Sequence, residues 1–150
     1  MASSASSAPR SRVSDMSLFG SLGVAASGMG TFKTWIDATA DNVANVSTVR
    51  ATDEPAYQER FVVAQARAGE RGQVGNGVHV AGVLFGDPEG RLVYDPTHPL
   101  SDEQGMVRMP DMDLSDQMTN LIIAQRAYQA NVTVFERARD AYLRGLEIGR

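Results

Sequence analysis

Cysteine is absent from the 150 residues, which excludes a disulfide framework, a cysteine metal site and thiol chemistry. Histidine is nearly absent too. His79 falls in a strand-like stretch and His98 in the loop Pro96-Thr97-His98-Pro99; two isolated histidines without ligand spacing read as structural or surface residues. No run approaches the roughly 18 apolar residues of a membrane span. The first 16 residues, MASSASSAPRSRVSDM, are rich in Ser and Ala and lack the apolar core of a cleaved secretory signal. Charge of one sign is also scarce, with 14 Lys and Arg against 18 Asp and Glu, and a net charge of −4. That charge gathers in residues 49–112, and no basic face stands out, which argues against nucleic acid or an anionic membrane as partner.

Signals of chemistry are equally thin. Asp111, Asp113 and Asp116 are spaced somewhat like a calcium loop, but loop position six is not glycine and the twelfth is Ile122 rather than glutamate. The run Gly69 to Gly77 lacks a following Lys-Ser/Thr, so it reads as a hairpin turn rather than a phosphate cradle. Asn45-Val46-Ser47 and Asn131-Val132-Thr133 are formal glycosylation triplets inside predicted helix. No nucleophile is paired with a base. The expectation is a protein that is not an enzyme and takes no cofactor, metal or small-molecule substrate.

What the chain does have is two long heptad patterns. Leu114, Met118, Leu121, Gln125, Tyr128, Val132, Phe135, Arg139, Tyr142 and Leu146 alternate steps of four and three, as on a helix about 50 Å long with one seam toward a partner. A domain of this size has a radius of only about 15 Å, so the helix must lie against another long helix or another chain. Asp113 and Asp116 supply its N-cap and an acidic first turn. Near the other end, Leu18, Leu22, Ala25, Met29, Phe32, Ile36, Thr39, Val43 and Val46 repeat the pattern after a cap at Ser14 or Asp15. Gly20, Gly23, Gly28 and Gly30 weaken that first helix by roughly 1 kcal/mol each relative to alanine. Either its N-terminal half is frayed, or the small residues admit close neighbours and the helix orders on assembly. The uninterrupted seam favours assembly.

Between the helices, Tyr57 to Val63 and Val78 to Leu84 alternate as strands of a hairpin. Arg91 to Tyr94 is a short extended piece, and Met106 to Met109 another strand. Such a small sheet needs a helix over one face. The predicted fold class is mainly α with a small β insert, the two long terminal helices forming an antiparallel coiled-coil-like pair. Its segments are a disordered tail 1–16, a helix 17–48, a β-rich insert 49–112 and a helix 113–150. Antiparallel pairing would bring the chain ends together and push the insert out at the far end. The polar residues beside the second seam, Gln125, Arg126, Gln129 and Asn131 in RAYQAN, either point to water or form a hydrogen-bonding face between subunits.

Several stretches are recognisable. Asp41 to Thr48 (DNVANVST) resembles the N-terminal signature of the bacterial flagellar axial proteins, the rod and hook family, and Ala124 to Asn131 (AQRAYQAN) with Leu143 to Arg150 (LRGLEIGR) resembles its C-terminal signature. Leu92 to Gly105 and Met109 to Asp113 are similar to the proximal-rod members. The sequence departs from the pattern at Val49-Arg50-Ala51, where the family continues with glycine and an aromatic. The resemblance implies a structural subunit of the flagellar basal-body rod, exported unfolded by the flagellar type III export apparatus without signal cleavage. It would lie outside the cytoplasm and transmit torque from motor to hook, with copies of itself and other rod and hook-side proteins as partners. The expected subunit contacts are Leu22, Met29, Ile36, Asn42, Val43 and Asn45 on the first helix. On the second they are Leu121, Gln125, Arg126, Tyr128, Gln129, Asn131, Phe135 and Tyr142. Competing classes are a soluble dimeric helical adaptor or chaperone-like binding module, and an enzyme that cleaves the cell wall.

Overall fold

A computed structural model describes residues 11–68 and 75–148, with side chains from Gly20 onward. Two helices of 35 residues each, α1 (Ser11–Asn45) and α2 (Leu114–Ile148), bracket four strands: β1 (Arg60–Ala66), β2 (Val78–Phe85), β3 (Arg91–Tyr94) and β4 (Met106–Met109). The first helix starts at Ser11, ahead of the expected cap, so residues 11–16 belong to it rather than to a tail; residues 1–10 lie outside the described residues. Its glycine-bearing half is helical throughout. It ends at Asn45, slightly before Ser47. There Asn45 Oδ1 accepts from the Thr48 hydroxyl at 3.1 Å, and the Thr48 amide donates to Asn45 O at 3.0 Å. Asp113 caps α2 as its sequence predicts, its carboxylate accepting the amides of Ser115 and Asp116 at 2.6 and 3.3 Å.

The strands form two separate antiparallel pairs, β1 with β2 and β3 with β4. Most of the turn joining β1 to β2, residues 69–74, lies outside the described residues. The β1–β2 ribbon is not pushed out at the end of the helices. It folds back along α1, which packs on both of its strands, supplying the covering helix that a small sheet needs. The β3–β4 pair is anchored by Arg108. Its backbone bridges Arg50 in both directions at 2.9 Å, one guanidinium nitrogen donates to Thr52 O at 2.7 Å, and the other donates to Glu89 O. One side chain thus gathers the connector after α1 and the turn before β3. Val107, Pro110, Met112 and Ala56 are buried around it.

The helices pack on each other, and they do so with small residues. A Cβ on Gly28 would lie 2.5 Å from Asn131 Oδ1, so α2 approaches closer than any side chain there permits. Further along α1, Lys33 lies within electrostatic range of Tyr128, and Asn42 bonds Gln117. Positions thus ascend on one helix as they descend on the other.

Candidate functional site

A buried polar cluster is built on Asn42, 2% exposed, and Gln117, 3% exposed. Asn42 Nδ2 donates to Arg60 O and to Gln117 Oε1, both at 3.1 Å; its Oδ1 accepts the Arg60 amide at 3.0 Å and the Tyr57 hydroxyl at 3.2 Å. Both donors and both acceptor lone pairs are thereby used. Gln117 passes the chain on, its Nε2 donating to Glu59 Oε1 at 2.6 Å. Burial pushes the Tyr57 phenol above its ordinary pKa, which keeps the proton on the donor that Asn42 requires. One amide side chain therefore joins α1, the connector, the start of β1 and α2. A shallow notch of about 400 Å³ opens beside it, lined by Glu59, Asp111 and Asp116 with Phe61 and Met112. No three His, Asp or Glu side chains come close enough to hold a metal ion among the described residues.

Around this node the sequence-predicted contact residues separate into three groups. Asn42 and Asn131 work inside the chain, Asn131 lying against Gly28 with its Nδ2 on Ala127 O at 2.8 Å, and Asn45 closes α1 with its Nδ2 on Asp41 O at 2.8 Å. Leu22, Met29, Ile36, Val43, Leu121, Tyr128, Phe135 and Tyr142 are half-buried. Gln125, Arg126 and Gln129 are exposed on the outer side of α2.

The expected seam of α2 is displaced by one residue at every second position, and on α1 Gly28, Thr31 and Asn42 lie deeper than the expected Met29, Phe32 and Val43 while Ala25 and Thr39 keep their places. The buried or half-buried heptad on α2 is Gln117, Leu121, Ala124, Tyr128, Asn131, Phe135, Ala138 and Tyr142, whereas Leu114, Met118, Gln125, Arg139 and Leu146 face outward. On α1 the deepest positions are Ala25, Gly28, Thr31, Ala38, Thr39 and Asn42, with Met29, Ile36 and Val43 flanking them. Counting apolar residues selects Met29 over Gly28, Val43 over Asn42 and Met118 over Gln117. Close approach selects the smaller one. Gln117 carried no apolar signal and was missed; its one trace in the sequence is the heptad step to Leu121 and Ala124.

Displacing the seam leaves apolar side chains in water. Leu114, Met118 and Ile122, at steps of four, are 48%, 43% and 46% exposed, and Ile123, Val134, Leu143, Leu146 and Ile148 join them. The ribbon exposes Phe61, Val63, Val83, Leu84 and Phe85. A polar node satisfied within the chain, beside apolar side chains left in water, defines a structural subunit, one whose surface is made for contact.

Comparison with known proteins agrees. Residues 103–147 match the family model described as the flagellar basal body rod FlgEFG protein C-terminal. The chain is 36% identical over 135 residues to the flagellar basal-body rod protein FlgC of Yersinia enterocolitica, covering 90% of this chain and 100% of that one. It is 34% identical over 135 residues to the FlgC of Salmonella typhimurium, strain LT2, with the same coverage. The FlgC of Bacillus subtilis, strain 168, is 32% identical over 151 aligned positions, again with 90% and 100% covered. The chain belongs to the FlgC family of flagellar basal-body rod proteins. It is a structural rod subunit and not an enzyme.

Proposed function

We propose that the subunit polymerises through its terminal helices and that α1 and α2 first pair with each other as an antiparallel, coiled-coil-like unit inside one chain. The descending order of contacts, Gly28 with Asn131 and then Asn42 with Gln117, supports that pairing. The outward stripe of α2, together with Gln125, Arg126 and Gln129, then meets neighbouring copies and other rod and hook-side proteins. Leu22, Met29, Ile36, Val43, Leu121, Tyr128, Phe135 and Tyr142 flank the pair, holding it in shape and offering their exposed edges to those neighbours. Contacts of this kind are heterologous and leave the assembly open, as a helical rod carrying torque from motor to hook requires. The subunit reaches its place outside the cytoplasm through the flagellar export apparatus, without a cleaved signal. No helix among the described residues is long and apolar enough to cross a membrane.

The observation that carries this reading is the row Leu114, Met118 and Ile122, about half exposed on a helix whose other side is already occupied. The test is a strain producing Met118→Glu with Ile122→Glu. The variant chain should accumulate and fold, while basal bodies lack a complete rod and cells do not swim. Normal swimming would overturn the reading, as would a purified wild-type chain that remains a two-chain species at every concentration.

A further inference from the structure

Helix α2 turns Gln117, Ala124 and Asn131 toward α1 and leaves two apolar flanks uncovered. A helix advances about 100° per residue. Met118, one residue past Gln117, therefore lies on one flank, where Leu114 and Ile122 extend the row at steps of four. Ile123, one residue before Ala124, lies on the other, where Ala127, Ala130 and Val134 follow it at helical steps. Ile123 and Val134 are 49% and 52% exposed. The two flanks differ in shape. Phe61 lines a notch with Asp116 and Asn120, which lie on the Ile123 side of Gln117, so the β1–β2 ribbon stands beside that flank. Phe61 and Val63 share one face of β1, Leu84 lies opposite Phe61 on the same face, and all three are exposed. Among the described residues no strand packs on α2. An open apolar groove thus runs between the ribbon and the Ile123 flank, whereas the Met118 flank is a bare ridge.

Three aliphatic side chains that are already half buried offer on the order of 200 Å², against roughly 800 Å² per partner in a stable interface. A two-fold contact, row against row, would use only the ridge of each copy and leave the groove in water. A head-to-tail contact uses both surfaces of every copy. Neither stripe carries a charge, so no like-charge repulsion opposes the approach of identical chains. We propose that in the assembled rod the ridge of Leu114, Met118 and Ile122 on one copy packs into the groove that Phe61, Val63, Ile123 and Val134 form on the next. The proposal rests on the reading that the Met118 row is a contact surface, and it names what the row meets: a second copy of this chain, through a different surface from the one presented. Each copy then has a ridge for one neighbour and a groove for the other, and the contact repeats without closing in pairs.

Photo-crosslinking within assembled basal bodies tests this. With benzoylphenylalanine in place of Met118, irradiation should join one copy to another, and peptide mapping should find the link at Phe61, at Val63 or within residues 123–134. With the probe in place of Val63, the link should fall within residues 114–122 of another copy. The second variant reads the same contact from the groove side if the bulkier side chain on the ridge stops assembly. Links from the Met118 position to residues 114–122 of another copy would overturn the inference, since they mean ridge against ridge. So would links to a different rod protein alone, or assembled rods in which neither probe reaches another copy. Capture of a different rod protein would leave the assembly reading standing, whereas normal swimming of the strain with Met118→Glu and Ile122→Glu would remove that reading and this inference together.

Discussion

At the residue scale, glycines of one helix differ in what surrounds them. Nothing lies within 4 Å of a Cβ built on Gly20, Gly23 or Gly30, whereas one on Gly28 meets Asn131 Oδ1 at 2.5 Å. Gly30→Ala should therefore raise the stability of the isolated chain by about 1 kcal/mol through helix propensity alone. Gly28→Ala should lose that gain to the displaced amide and recover it when combined with Asn131→Ala. Urea unfolding of the two single variants and the pair measures this, and an equal gain at both glycines would show that the helices do not approach as closely as Gly28 indicates. Asn42 is the other residue on which much turns. Asn42→Ala leaves Gln117, Tyr57 and the Arg60 amide without their partner, and should cost about 3 kcal/mol.

At the element scale, the small sheets are held by side chains that reach backbone. Arg108 links the connector and the turn before β3 by charge-assisted bonds, so Arg108→Met should cost about 2 kcal/mol and speed exchange at Arg50 and Ala56. Asp102 shapes the loop before β4, its carboxylate accepting the amides of Met106 and Gln104 at 2.8 and 2.9 Å. Those bonds, the Met106 amide foremost, hold its carboxyl below the ordinary carboxylate range. A depressed folded-state pKa means that the contribution is complete above the unfolded value of about 4 and is lost as pH falls through the folded value. Protection of the Met106 amide, taken against the intrinsic exchange rate at each pH, should accordingly fall in acid in the wild type. In Asp102→Asn that acid response should be absent.

At the scale of the whole molecule, the pairing proposed for the two helices inside one chain is easy to examine, because the sequence holds no cysteine. Gly28→Cys combined with Asn131→Cys places two sulfurs at positions already in contact. Oxidation of the assembled rod should give a cross-linked species that runs at single-chain mass on a denaturing gel. Ladders of covalent dimers and trimers would mean that α1 pairs with the α2 of a neighbour instead. The exposed row Leu114, Met118 and Ile122 is then what remains for neighbours.

The amino-acid order was enough to place both long helices, the Asp113 cap, the β1–β2 ribbon and the β4 strand, because heptad spacing, capping side chains and strand alternation act over a few residues. It was also enough to bring the family into view, and Ala124 to Asn131 lies within the residues 103–147 that match the family model. Which side of each heptad faces inward was decided only by packing. Apolar periodicity scores Met29, Val43 and Met118 above Gly28, Asn42 and Gln117. Yet two backbones gain most by approaching closely, and at that distance only small side chains, or polar ones that satisfy each other, fit between them. The same geometry laid the ribbon along α1 through Ser27 and Asn42, since a hydrogen bond between residues 51 apart in the chain leaves no local trace in the sequence.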